Sequence, residues 1–335
     1  MWTGVLSTSF PLQSFVVDFD TGSTDLILVS DDCTSSQCVT TGAGTTRNRW
    51  SDYTRTGRCT TQTFTNYYVG SSTPTSGFVC RDTVYFGRMR ADKQTVNIIE
   101  SAATNGPIVS LPCDGLAGLA FPALSSASAS SLPFTFAAQG TAQNIFAFRL
   151  SSSGGTSQLS IGSLDSSLYT GSIYYYDYAT DPTYQSSIYT YYQLTNGAVY
   201  ANGVVVPGAG SQFIIDSGST LIFAPKYAAQ AFWAAVPGSA AYTGNTGNSY
   251  QYYTFPCNSP PTAAFSFNGS SRQHAVKTKD INLGYLDYAG GTCIGAYVGA
   301  DFGLSGRTIL GDTFMKGWYT IFDNENMRLG LAATA

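Results

Sequence analysis

The stretch Phe15-Val16-Val17-Asp18-Phe19-Asp20-Thr21-Gly22-Ser23-Thr24 reads as a short apolar strand running into a tight turn that carries a carboxylate. Its essentials return 196 positions after Asp20, as Phe213-Ile214-Ile215-Asp216-Ser217-Gly218-Ser219-Thr220. Each copy leads into a second apolar run, Leu26-Ile27-Leu28-Val29 in the first and Leu221-Ile222-Phe223 in the second. One such turn alone is an ordinary β-turn. Two copies in the same strand–turn–strand setting predict two related lobes, each presenting one Asp.

The residue types suit a carboxylate that must keep one orientation. Gly22 and Gly218 permit a tight turn and leave a backbone N–H open beside the carboxylate. A hydroxyl from Ser23 or Ser219 can donate to the outer oxygen, and Thr21 and Ser217 complete the two turns. Together these residues are the candidate supports of an Asp20–Asp216 pair.

A chain of 335 residues exceeds one ordinary core and suits two domains of about 150 residues each. Hydrophobic residues make up 43% and charged residues 11%, while helical stripes are scarce, which predicts a mostly β protein. Phe15–Phe19, Thr83–Phe86, Phe213–Ile215 and Tyr319–Phe322 are β-branched or aromatic runs bounded by turn residues, and read as strands.

A net charge of −4 without a Lys/Arg cluster gives no footprint for nucleic acid, and no basic amphipathic helix or long apolar run points to a membrane. The low charge density would limit self-repulsion in an acidic medium. Seven cysteines lack any Cys/His metal spacing, and Cys33 to Cys38 has the size of a disulfide-closed loop, so an oxidising compartment and secretion are expected. The segment Met1-Trp2-Thr3-Gly4-Val5-Leu6 has neither the basic start nor the apolar run of a signal peptide.

Elimination narrows the chemistry. The single histidine, His274, follows the polar run Ser270-Ser271-Arg272-Gln273 and is expected in a surface loop. No serine stands in a Gly-x-Ser-x-Gly elbow, which leaves a Ser-His-Asp triad without support. A catalytic zinc would need several His or Cys ligands, and no phosphate-binding Gly-x-x-x-x-Gly-Lys loop is present. Carboxylates remain as the catalytic groups, with no metal and no cofactor expected.

At these residues the chain resembles the pepsin-like aspartic peptidases, over nearly its whole length. Cys33 and Cys38 follow Asp20 at that family's small-loop spacing, and Asp114-Gly115-Leu116-Ala117-Gly118-Leu119-Ala120 resembles its Asp-Gly-Ile-Leu-Gly-Leu-Ala segment. Ser157 to Gly171 resembles its inter-lobe connection, and Ile309-Leu310-Gly311-Asp312-Thr313-Phe314 through Leu329-Gly330-Leu331-Ala332 its C-terminal signature. The resemblance implies an all-β bilobal fold, two β-barrel-like lobes at 1–165 and 166–335 flanking a cleft. It further implies that Asp20 and Asp216 share a proton over an acidic range and activate water against a peptide bond. Polypeptide substrates, inhibition by pepstatin, a zymogen and a secreted (extracellular or vacuolar) monomer follow as expectations of the same resemblance.

Other assignments rest on the family pattern position by position. The flap hairpin falls between Phe64 and Val84, with Tyr68 as the flap tyrosine, on one strand face with Phe64 and Asn66, and Tyr67 as the competitor. Ile27 stands where the family usually places the Trp that partners that tyrosine. Asp18 lies on the same strand face as Asp20, at an apolar subsite position of the family. It is read either as a subsite acid that favours basic substrate residues or raises the apparent pKa of the Asp20–Asp216 pair, or as a solvated or internally bonded strand residue. Tyr191, Ile214 and Thr220 are further substrate-binding candidates.

Cys257 and Cys293 match the family's second-lobe disulfide, whereas Cys59, Cys80 and Cys113 leave one thiol free or bridged to another molecule. Cys113 takes a place where the family often has an aromatic pocket residue. Asn268-Gly269-Ser270 is a glycosylation sequon. The family's first strand is short or missing before Trp2. A non-catalytic relative that binds proteins or glycans is the rival reading, suggested by the flap, Ile27 and that abbreviated start. A secreted adhesion or coat protein would explain the Ser/Thr/Tyr composition but not the repeat.

Overall fold

The computed structural model describes all residues except 10, 53–56, 69–72, 101–106, 153–155, 182–187, 245–248, 287–290 and 304. The expected tip of the flap, 69–72, therefore lies outside the described residues. The chain is mostly β and divides into two compact units. One comprises Met1–Ile145, Ile161–Ser163 and Ile188–Tyr191; the other comprises Phe146–Ser160, Leu164–Ser187 and Tyr192–Ala335.

The first unit is built on seven strands: β1 (Thr3–Thr8), β2 (Gln13–Asp20), β3 (Leu26–Val29), β4 (Arg58–Asn66), β5 (Thr75–Phe86), β6 (Met89–Ile99) and β7 (Gly115–Gly118). They lie in the order β1-β2-β7-β3-β6-β5-β4, and a further β1–β5 pairing closes the sheet on itself. Closure pairs the β1 edge that an open sheet would present, and β4 lies outside the closed ring, paired to β5. Ile27, Val29, Phe64, Val79, Ile99 and Leu116 point into one apolar cluster beside the Cys33–Cys38 disulfide, and Tyr68 packs against it.

In the second unit a six-stranded sheet holds Phe213–Ile215, Thr308–Leu310 and Ile222–Ala224 side by side in that order. Aromatic residues fill its interior. Phe232 stacks on Tyr297 with ring centroids 4.4 Å apart, and Phe146 stacks on Phe322 at 4.6 Å. Such rings bury large apolar areas with defined geometry, which suits a chain with few charged side chains.

His274, expected in a surface loop, is fully buried at the start of the short strand His274–Ala275. Tyr176, Phe267 and Trp318 enclose its ring, and Tyr176 Oη lies 2.7 Å from Nε2. Ser271, Arg272 and Gln273 before it are exposed, but the strand's register with Phe265 turns His274 inward. Disulfides join Cys33 to Cys38, Cys59 to Cys80 and Cys257 to Cys293, and Cys113 is a buried free thiol. Cys59 and Cys80 face each other directly in the β4–β5 register. No helix among the described residues is long and apolar enough to cross a membrane.

Candidate active site

Asp20 ends β2, and Asp216 follows the strand Phe213–Ile215 directly. Each carboxylate is held by two donors from its own turn. Gly22 N–H donates to Asp20 Oδ1 at 2.7 Å, and the Ser23 hydroxyl donates to Oδ2. In the second unit Gly218 N–H donates to Asp216 Oδ1 at 2.9 Å, and Ser219 Oγ donates to Oδ2 at 2.6 Å. Hydrogen bonds to an ionised acceptor are short and strong, so each pair fixes one carboxylate orientation. Both Asp side chains are nearly buried, at 6% and 8% exposed, while Thr21 and Ser217 are fully enclosed beneath the turns.

A third strand locks each turn from behind. β7 runs parallel to β2 with Asp20 opposite Gly118, and antiparallel to β3 with Leu26 opposite Ala117. The strand Thr308–Leu310 does the same in the second unit, parallel to Phe213–Ile215 and antiparallel to Ile222–Ala224. A glycine at the end of the first of these strands, Gly118, and one just after the second, Gly311, are required by space. A Cβ on Gly118 would lie 2.3 Å from the Thr24 carbonyl carbon, and one on Gly311 would lie 2.1 Å from the Ser219 carbonyl oxygen. Leu119 N–H donates to Asp20 O and Asp312 N–H to Ser219 O, which ties the turn backbones to these segments.

The remaining candidates fall at varied distances from these turns along the chain. Tyr68, two residues beyond the end of β4, has a buried hydroxyl, whereas neighbouring Tyr67 is 71% exposed. Burial above all, then the Asp20 carboxylate, pushes the Tyr68 phenol far above its ordinary range, so it remains a neutral donor. Asp18 is 3% exposed, and Trp2 N–H donates to its Oδ1 at 3.2 Å. Ile214 is buried opposite Ile309, Thr220 is exposed beside Ser219, and Tyr191 belongs to the segment that packs with the first unit. Asn268 is exposed in a turn with φ of 52°, and its Nδ2 donates to Asp177 O at 2.9 Å.

Asp25 is a residue that sequence reading passed over. It sits five positions beyond Asp20, buried, and gathers donors from Asn66, Ser125 and Ser126. The available signal is internal: the equivalent residue of the second turn is the apolar Leu221. Among the described residues no group of three or more His, Cys, Asp or Glu side chains is placed to hold a metal ion.

Two turns of the same build, one in each unit, define a class of protein that offers a pair of oriented carboxylates. The eukaryotic aspartyl protease family model matches residues 2–334. The chain is 36% identical over 338 residues to an aspartic protease of Phaffia rhodozyma, covering 100% of this chain and 76% of that protein. It is 28% identical over 355 residues to major aspartyl peptidase 1 of Cryptococcus neoformans var. grubii, with coverages of 99% and 68%. To pepsin A of Bos taurus it is 30% identical over 342 residues, with coverages of 99% and 84%. The chain belongs to the eukaryotic aspartyl protease family, pepsin-like and with fungal relatives. That family is one of aspartic-type endopeptidases, which are hydrolases.

Proposed function

We propose that the protein is a secreted acid endopeptidase in which Asp20 and Asp216 together activate the water that cleaves a peptide bond. The observation that carries this reading is the identical pair of donors, Gly N–H and Ser hydroxyl, on each carboxylate. The reading requires both carboxyl groups to meet at one water and to hold one proton between them. The ionised Asp removes a proton from water as the oxygen attacks the carbonyl carbon, and the protonated Asp delivers its proton to the carbonyl oxygen. The resulting gem-diol collapses as its hydroxyl proton returns to one carboxylate and the amine leaves with the proton taken from water. Each step needs only the two carboxyl groups and the water.

The same proposal includes polypeptide substrates, pepstatin-type inhibitors, a zymogen precursor and a monomeric extracellular or vacuolar enzyme. Three disulfides support an oxidising compartment. The exposed Asn268 turn is the site where a glycan would be carried. Tyr68 is the flap residue in this scheme, its hydroxyl kept neutral by burial and by the Asp20 carboxylate.

Cleavage of an unfolded protein across acid to neutral pH tests the reading, with pepstatin and Asp216→Asn as controls. The expected result is acid-dependent cleavage abolished by either control. No cleavage by correctly folded, fully processed protein would instead assign the chain to a non-catalytic relative that binds proteins or glycans.

A further inference from the structure

The turn that presents Asp20 continues into Asp25, and the repeat supplies an internal comparison for that residue. Every position from Asp20 to Thr24 has a like counterpart between Asp216 and Thr220, but Asp25 corresponds to Leu221. A strand can therefore enter from this turn behind an aliphatic residue, and the local geometry does not call for a carboxylate. Asp25 is nonetheless 5% exposed, and a buried carboxylate is costly unless its oxygens are satisfied.

They are satisfied from two directions. Ser125 Oγ donates to Oδ1 at 2.5 Å, and Ser126 donates to Oδ2 through both N–H at 3.1 Å and Oγ at 2.9 Å. Ser125 is itself fixed, since its Oγ accepts from Ala127 N–H and Ala129 N–H. The fourth donor is different in kind. Asn66 Nδ2 reaches Asp25 Oδ2 at 3.0 Å from the last residue of β4, 41 positions away. The backbone at Asp25 is anchored too, because its carbonyl accepts from Gly118 N–H at 3.0 Å. Asp25 is thus a fixed post, and Asn66 is the point where β4 is moored to it.

Two residues beyond Asn66 stands Tyr68, whose side chain returns to the cluster containing Ile27 and Phe64. Asp20 and Asp25 both lie within electrostatic reach of its hydroxyl, and Asn66 is its side-chain neighbour. We propose that the Asp25–Asn66 hydrogen bond is a positioning device that holds the end of β4, and with it Tyr68, beside the Asp20 turn. Neither residue touches the reacting atoms. A partly buried amide-to-carboxylate bond is directional, so it fixes the strand end more sharply than apolar contact alone.

The part played in turnover rests on the endopeptidase reading; the tie itself does not. The test compares wild type, Asn66→Leu and the conservative variant Asn66→Gln by amide hydrogen exchange and by peptide hydrolysis. Asn66→Leu is expected to raise exchange at residues 64–68 about fivefold or more, with the other strands of the first unit unchanged. It is also expected to lower kcat/KM about tenfold, while Asn66→Gln, which keeps an amide donor and leaves Asp25 with its serine donors, recovers part of both. Unchanged exchange at 64–68 in Asn66→Leu overturns the tie, and so does a uniform rise across the whole unit. Faster local exchange with wild-type kcat/KM overturns its part in turnover. An inactive wild type whose 64–68 segment still loosens in Asn66→Leu overturns the endopeptidase reading and leaves the tie standing.

Discussion

Asp18 and Ile214 occupy equivalent places, each two residues before a turn Asp and on the same strand face. One is a carboxylate and the other an aliphatic side chain, so the backbone geometry is indifferent to charge at this point. What distinguishes Asp18 is the N–H of Trp2, which donates to it where β1 begins to pair with β2. We propose that this carboxylate serves the fold as an acceptor, and Asp18→Val removes that acceptor. The variant is expected to lose about 1–3 kcal/mol of stability, read as a lower urea midpoint, with the profile of cleaved peptides unchanged. A profile that shifts away from basic residues, at unchanged stability, would assign Asp18 to a substrate subsite instead.

The elements that decide the site are two strands of three or four residues, β7 and Thr308–Leu310, each wedged between the arms of a carboxylate turn. Their glycines leave no room for a methyl group, because the nearest atoms are backbone rather than flexible side chain. Gly118→Ala must displace the Thr24–Asp25 peptide and is expected to cost about 3 kcal/mol. Activity should fall with it, since the displaced peptide continues from the turn that orients Asp20. A thermal scan and an activity assay on the same preparation would check both, and wild-type values in each would remove the steric argument.

This is also the scale at which the sequence was most and least legible. The donors to each Asp lie two and three residues after it, so residue types alone suggest the turn. Strand segments such as Phe213–Ile215 announce themselves by β-branched and aromatic content. Asn66 meets Asp25 across 41 positions and Cys59 meets Cys80 across 21, and both depend on a register that no local pattern encodes. His274 misleads for the same reason: its sequence neighbours are exposed, while Tyr176, Phe267 and Trp318 come from other strands and turns.

At the scale of the whole molecule, that histidine gives stability a pH dependence of known sign. Burial first, and Arg272 second, pushes its pKa from 6.5 down to about 4. The unfolded chain therefore takes up this proton at a higher pH than the folded one. The contribution to stability is complete above about pH 6.5, declines as the pH falls, and levels off below about 4, with a total loss of at most about 3 kcal/mol. His274→Gln keeps a hydrogen-bonding partner for Tyr176 without a titrating group. Its unfolding midpoint should fall less than that of wild type between pH 6.5 and 4, and equal declines would show that other groups set the slope.

The odd cysteine bears on how long the molecule keeps its covalent pattern. Burial, with Asp18 nearby, pushes the Cys113 thiol up to about 11, and its Sγ is occupied with Gly115 O. Only the thiolate attacks a disulfide, and at pH 7 about one Cys113 in ten thousand would carry that charge; in acid the fraction falls tenfold with each pH unit. The nucleophile needed to reshuffle Cys33–Cys38, Cys59–Cys80 and Cys257–Cys293 is thus inside the protein but chemically silent. Once formed, the three cross-links are spared attack by the chain's own free thiol for as long as the first unit stays folded.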